Sequence, residues 1–300
     1  MTSYHSKLTR TRYFMSIISA VLFVIAVSSL AIKGLNWGLD FTGGVVAEAR
    51  LDTHLHASDF KPLLDTALQQ DVQVISANEP GRWSFRYNQV DGDSVALNPL
   101  LESFSETVEV LNSSVVGPQV GQDMVEQGGL AIFACFVLTM LYLSYRFEWR
   151  LALGALVALV HDVTLVLGLF AITQFEFNLT ILAAVLAVLG YSLNDSIIIA
   201  DRARELFKAK PKGQANNLIN DAIHASFSRT IITSGTTLVT VSSLWLLGGP
   251  ALEGFAVALC LGIACGTWSS ISLGVTLPQL IGISPAHYRV AKPSLEEAMP

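Results

Sequence analysis

The sequence predicts an α-helical integral membrane protein, with six transmembrane helices and a small α+β ferredoxin-like external domain between the first two. Three observations carry this expectation. Of the 300 residues, 52% are hydrophobic and only 14% charged, too apolar for an ordinary soluble domain of that length. Six stretches are long enough to cross a bilayer at ~1.5 Å rise per residue: Tyr13–Ile32, Gly129–Tyr145, Leu151–Thr173, Leu179–Ala200, Thr230–Leu247 and Phe255–Leu277. Residues 33–128, between the first two stretches, are mostly polar and punctuated by turn residues. The expected organisation is a basic tail (1–12), a first helix (13–32), the external domain (33–128), a five-helix bundle (129–283) and a second tail (284–300).

The first stretch follows Lys7, Arg10 and Arg12 and ends near Ser29-Leu30-Ala31, which resembles a signal-peptide cleavage site. Its apolar core is longer than a signal-peptide h-region, so an uncleaved anchor is expected. Charge sets the orientation. Lys7, Arg10, Arg12, Arg146, Arg150, Arg202, Arg204, Lys208, Lys210, Lys212, Arg289 and Lys292 fall on one side. The loops 174–178 and 248–254 hold no Lys or Arg. By the positive-inside rule both termini are expected in the cytoplasm, with residues 33–128 outside. Cys135, Cys260 and Cys265 all lie in apolar stretches and read as small packing residues.

After the first stretch comes Trp37-Gly38-Leu39-Asp40-Phe41-Thr42-Gly43-Gly44, an interfacial Trp and then turn residues. No Lys-Ser/Thr follows the glycines as a phosphate loop requires, so a structural turn into a strand is expected. Val45–Leu51 alternates as a strand does. Ser58 is placed to cap a helix bearing Phe60, Leu63, Leu64, Ala67 and Leu68. Val72–Ala77 and the run through Trp83, Phe85 and Tyr87 read as two more strands. Asp93 or Ser94 opens a second helix carrying Leu97, Leu100, Leu101, Phe104 and Val108, and Leu111–Val116 closes the unit. The order β-α-β-β-α-β is ferredoxin-like. Gly117-Pro118-Gln119-Val120-Gly121 leads back to the membrane.

The chemistry is concentrated within the apolar stretches. Asp195, preceded by Asn194, sits seven residues before Arg202, about 10 Å deep at helical rise. A charged Asp near a helix centre in lipid costs about 2.5–3.5 kcal/mol, so such a residue serves ion traffic or pairs with another helix. The third stretch carries His161 and Asp162 near its middle, flanked by Gly154 and Gly168, which permit close helix approach. Those two groups suit a proton relay or a buried structural pair equally well. Arg229 opens the fifth stretch, and Thr233, Thr236 and Thr240 follow it on one helical face. A strip this polar should face other helices or a wet path, although Arg229 by itself also suits a snorkelling interface cation. No Walker A sequence, zinc signature or nucleophile elbow is present, so no enzyme and no bound cofactor other than protons are expected.

These features suit a proton carrier. Burial disfavours an ionised Asp195, and a nearby Arg229 favours it, so a conformation that separates them links protonation to shape. A proton crossing ~150 mV releases about 3.5 kcal/mol, enough to tilt a two-state equilibrium.

Several segments in order resemble the SecD/SecF family of protein-export membrane proteins: Gly38 to Gly44, Gly117 to Gly121, Arg146-Phe147-Glu148-Trp149-Arg150, His161-Asp162-Val163, Gly190-Tyr191-Ser192-Leu193-Asn194-Asp195 with Asp201-Arg202, and Ser228-Arg229-Thr230. Ser196 and Ala200 are mild departures, where Thr and an aromatic are common. The short external domain resembles SecF-type members better than SecD-type ones. The resemblance implies half of a resistance–nodulation–division (RND) helical bundle in the bacterial inner membrane. It also implies a SecD-like partner subunit, the Sec translocon, an exported unfolded polypeptide and membrane lipid as partners, with no nucleic acid. The implied role is proton-driven promotion of translocation and release, with Asp195 and Arg229 on the proton path and Ser192 and Asn194 in support. An RND-type exporter of small molecules or lipids is the alternative.

Overall fold

The computed structural model describes residues 2–70, 72–76, 80–87, 97–103, 108–116 and 118–288. Among these, six segments are long and apolar enough to span a membrane: His5–Lys33, Gly121–Arg146, Trp149–Thr173, Leu179–Ala209, Ala215–Leu247 and Leu252–Leu280. Most exceed the apolar stretches that announce them, because helical hydrogen bonding continues into polar residues that also tolerate a helix. Helix α1 (Thr2–Lys33) therefore joins the basic tail to the first span. After the external domain, α5 (Pro118–Arg146) begins well before Gly129, at a proline that loses no needed N–H in the first helical turn. Helices α6 (Trp149–Thr173), α7 (Leu179–Ala209) and α8 (Ala215–Leu247) follow. Together α7 and α8 absorb most of the polar segment 201–228. The sixth span is two helices, α9 (Pro250–Ile271) and α10 (Leu273–Leu280), broken at Ser272.

The external domain follows a one-turn helix α2 (Leu39–Thr42) and contains β1 (Gly44–Arg50), α3 (Ala57–Leu68), β2 (Gln73–Ser76), β3 (Arg82–Tyr87), α4 (Leu97–Leu101) and β4 (Glu109–Val116). The sheet order is β2-β3-β1-β4 with every pair antiparallel, the ferredoxin-like arrangement. Val45, Ala47 and Ala49 alternate inward from β1, as do Trp83, Phe85 and Tyr87 from β3, onto Phe60, Leu64 and Leu68 of α3. Two expectations for α3 are corrected. Ser58 is not the cap: His56 holds that place, its backbone N–H donating to Asp59 Oδ2 at 2.8 Å. Leu63 is 57% exposed and Ala67 is exposed as well, because the sheet covers only the Phe60–Leu64–Leu68 edge. Among the described residues the second helix covers Leu97–Leu101; Asp93, Ser94 and Phe104 lie outside them, and Val108 already leads into β4.

The glycine-containing segment is the turn that the sequence requires, and it is also a clamp. Gly38 N–H donates to Phe177 O at 2.8 Å, and Phe177 N–H donates to Asn36 O at 2.7 Å. Asp40 Oδ2 accepts from Leu179 N–H at 3.0 Å, so its carboxylate lies at the positive end of α7. Thr42 N–H returns to Gly38 O at 3.1 Å. The Phe41 ring stacks on Phe177 with centroids 5.9 Å apart, and Trp37 meets it edge-on. Gly43, at φ 75°, reverses the chain into Gly44 and β1 in a conformation that L side chains rarely adopt. Gly117 lies outside the described residues; Pro118 starts α5, whose Gly121 packs directly on the Phe41 carbonyl. Glu176, tucked beside Gly38, has its carboxyl pushed upward by burial, opposed by the charge of Arg86 from β3.

Small residues set the helix spacing in the bundle. On α9, Gly254, Ala258, Gly262 and Gly266 recur every four residues, and three of them abut α7 at Ile181, Val188 and Ser192. Gly154 lets α6 approach Gly274 and Pro278 of α10, and Gly168 lets it approach Ala26 of α1. Two apolar clusters result: one around Phe147, Leu151, Ile199, Ala203 and Phe207, the other around Leu159, Val166, Phe170, Ile181 and Val185. On α7 the polar residues Ser192, Asp195 and Ser196 fall between them.

Gly262→Leu is expected to destabilise the chain by about 1–3 kcal/mol, since the new side chain must displace Val188. Gly235→Ala, where nothing lies within 4 Å, should leave the thermal midpoint in detergent unchanged or slightly raised. Equal midpoints for the two variants would show that the α7–α9 contact is slack.

Candidate functional site

Two carboxylates lie inside the bundle. Asp162 on α6 is 0% exposed and Asp195 on α7 is 1% exposed. Among the described residues, each is met by hydroxyl groups from two neighbouring helices. Asp162 Oδ2 accepts from Ser192 Oγ of α7 at 2.5 Å and from Ser269 Oγ of α9 at 2.7 Å. Its Oδ1 lies 2.9 Å from Nδ1 of His161. The imidazole stacks against Phe23 of α1 at 6.2 Å between centroids, and its Nε2 is buried without a partner.

Asp195 is held more loosely. Its Oδ2 accepts from Ser234 Oγ of α8 at 3.1 Å and lies 3.3 Å from Thr267 Oγ1 of α9. The Thr267 hydroxyl is also 2.7 Å from Ser234 Oγ, and its single proton serves one acceptor at a time. Among the described residues, Asp195 Oδ1 is buried with no hydrogen-bond partner. Ser196 Oγ, next to Asp195 on α7, and Thr230 Oγ1, one turn before Ser234 on α8, are likewise buried and without partners among the described residues. The site thus holds one well-satisfied carboxylate and one with spare capacity, and hydroxyls that can donate to a carboxylate or accept from a carboxylic acid.

Asp195, Asp162 and His161, expected within the apolar stretches, are buried in the bundle, and of the expected supporting residues Ser192 is buried with them. Asn194 is exposed, on the face of α7 turned away from the site. The strip on α8 lies on the outside of this chain's bundle. Arg229, Thr236 and Thr240 are exposed and Thr233 is half-buried; no direct contact joins Arg229 to Asp195 in this structure. From Arg229 to the end of α8, the buried residues are Thr230, Ser234 and Val241. Arg229 is five residues from Ser234, about 140° away around a helix of 3.6 residues per turn.

The threonines also do not need a wet path. Thr233 donates to Arg229 O at 3.0 Å, Thr236 to Ile232 O at 2.8 Å and Thr240 to Thr236 O at 3.1 Å. A hydroxyl that bonds one turn back along its own helix is tolerated in apolar surroundings. The hydroxyls that meet a carboxylate of another helix are those of Ser192, Ser234, Thr267 and Ser269. Sequence reasoning singles out Ser192 and counts Ser234 among the hydroxyls of the fifth stretch but passes over Thr267 and Ser269, although the four-residue repeat of small residues on α9 is a readable sign that this helix packs closely.

Comparison with known proteins agrees with this architecture. Residues 96–281 match the family described as protein export membrane protein SecD/SecF, C-terminal, and residues 28–53 match the SecD/SecF GG motif, which contains the clamp. The protein translocase subunit SecF of Vibrio alginolyticus is 41% identical over 274 residues, covering 89% of this chain and 87% of the relative. That of Escherichia coli O157:H7 is 35% identical over 288 residues, 94% of this chain and 89% of the relative. The crystal structure of SecDF from Thermus thermophilus, a translocon-associated membrane protein, superposes with a TM-score of 0.79 at 30% identity. That match covers 91% of this chain and 38% of the SecDF chain, so the present chain corresponds to less than half of that larger protein. With six apolar helices, one antiparallel external sheet and both sequence signatures in register, the chain belongs to the SecD/SecF family of protein export membrane proteins.

Proposed function

We propose that this chain is an accessory subunit of the Sec protein-export machinery that works with a SecD-like partner and uses proton flow to promote translocation and release of unfolded polypeptides. The proposed setting is the bacterial inner membrane, with both termini cytoplasmic, and protons take the place of any bound cofactor. The carrying observation is Asp195, a buried carboxyl group whose described partners are hydroxyls alone. No cation there locks it in the ionised form, so it can change protonation without breaking an ion pair. Asp162, with three polar partners, fits a structural acceptor that holds α6, α7 and α9 together.

Motion has a physical route outward. Asp195 lies on α7, and the first turn of the same helix is capped by Asp40 of the clamp that begins the external domain. A shift of α7 that follows protonation is therefore delivered to β1 through a few residues. Arg229 enters in a second conformation, in which α8 is turned so that the guanidinium approaches Asp195. The outer helices also fit a half-unit: only 11% of the apolar windows of α1 and α5, and 17% of that of α8, is buried, against 56% for α6. The RND-type exporter alternative is not favoured, because the relatives above are translocase subunits and the external domain is one small sheet.

Asp195→Asn keeps the shape of the side chain but cannot ionise. It should abolish the stimulation of export by the proton-motive force in inverted vesicles, while abundance and partner assembly stay normal. Unchanged stimulation would remove Asp195 from the coupling. Asp162→Asn should instead lower thermal stability by about 1–3 kcal/mol while retaining stimulation, since it disturbs a satisfied buried acceptor. Arg229→Ala should reduce stimulation, with Lys at the same position restoring part of it. A wild-type response from the alanine variant would reduce Arg229 to an interface cation.

A further inference from the structure

The seam between the external domain and the bundle holds two charged groups that the proposed function leaves unused. Along β3, Trp83, Phe85 and Tyr87 point into the core, so Arg82, Ser84 and Arg86 share the opposite face of the sheet. On that face Arg82 reaches Glu48 at 2.6 Å, and Arg50 of β1 reaches Glu109 at 3.3 Å. Arg86 has Val46 and Gln73 as its cross-strand neighbours, and both are neutral. Its Nε is buried with no hydrogen-bond partner among the described residues.

The second group is Glu176, in the loop that joins α6 to α7. Its Oε1 is likewise buried without a partner among the described residues. The side chain lies against Gly38: a Cβ at that position would stand 2.5 Å from Oε1 and 3.1 Å from Cγ. Gly38 has φ −72°, a conformation open to any residue, so its missing side chain provides room for the carboxyl rather than backbone freedom. The charged groups that act on Glu176 are Arg86 of β3 and Asp40 of α2. Burial raises the carboxyl above its ordinary range; Arg86 and the Leu39 N–H oppose that, and Asp40 adds to it. Glu176 therefore keeps a proton at an acidity that leaves exposed glutamates ionised. An unpaired guanidinium and a partly buried carboxylate are each costly, and contact between them relieves both costs.

We propose that Glu176 and Arg86 form a latch between the external domain and the loop that leads into α7. An ion pair closes it when Glu176 is ionised, and uptake of a proton from the surrounding water releases it. Closure draws β3 toward the loop; release leaves that loop joined to the domain through the clamp at Phe177. The external domain thus responds to acidity on its own side of the bundle, and the latch does not depend on a proton path through Asp195.

The test is a distance measurement by double electron–electron resonance on the full chain in nanodiscs. Spin labels are attached at Leu63→Cys on α3 and Leu247→Cys at the end of α8, both exposed positions, with Cys135, Cys260 and Cys265 replaced by alanine. As the pH rises from about 4 to about 8, the label distance should shift with a midpoint above the ordinary glutamate value of 4.5. Glu176→Gln should abolish the shift and hold the low-pH distance throughout. Arg86→Gln should abolish it as well, and Arg86→Lys, which keeps the charge, should restore it. Asp195→Asn should leave the shift intact, which separates the latch from the proton carrier proposed above. A distance that does not change with pH overturns the proposal, as does a shift that survives Glu176→Gln or Arg86→Gln. A shift lost in Asp195→Asn would trace the movement to the bundle and overturn it too.

Discussion

A carboxyl group buried among helices needs polar partners, and the rest of this bundle is arranged around supplying them without supplying a cation. The partners here are hydroxyls, short side chains that reach a neighbouring helix only when the backbones are close. Closeness comes from the repeat of Gly254, Ala258, Gly262 and Gly266, which brings α9 against α7 and sets Thr267 and Ser269 beside Asp195 and Asp162. The apolar clusters on either side keep the carboxylates from bulk water along most of their surroundings. Packing by small residues and the chemistry of the site are therefore one feature rather than two.

The same helix joins that chemistry to the external domain. Its outer end is gripped by backbone hydrogen bonds between residues 36–38 and Phe177, by the Asp40 cap and by aromatic contacts among Trp37, Phe41 and Phe177. The ferredoxin-like sheet shares one continuous core with α3, into which the first strand, β1, is packed. Stiff elements connected through one short clamp transmit small movements better than a flexible linker does.

Much of the fold was legible beforehand. Hydrophobic length alone located the spans, since no other element satisfies its backbone hydrogen bonds internally while crossing a bilayer. Alternation located Trp83, Phe85 and Tyr87 on the inner face of the sheet, and turn residues located the reversal at Gly43. Asp195 stood out because a charge is costly at that depth. Less legible were the helix ends at Thr2, Pro118 and Ala215, where polar residues continue a helix beyond the apolar run. The burial of Arg12 was also hidden: orientation rules count it as one more basic residue, whereas its neighbours Asn216 and Gln279 are more than two hundred positions away.

The sequence by itself determined how many segments are long and apolar enough to cross a membrane, where the soluble domain is inserted between them, and which acid lies deep within an apolar helix. Only the tertiary structure decided which hydroxyls serve that acid. A hydroxyl on a helix can satisfy itself on the carbonyl one turn back, as those of Thr233, Thr236 and Thr240 do, or reach across, as that of Ser234 does, and Thr267 has both kinds of acceptor within reach. Spacing along one helix is the same in both cases. The choice depends on how near the next backbone comes and on the rotation of each helix about its axis, and those are set by residues on other helices.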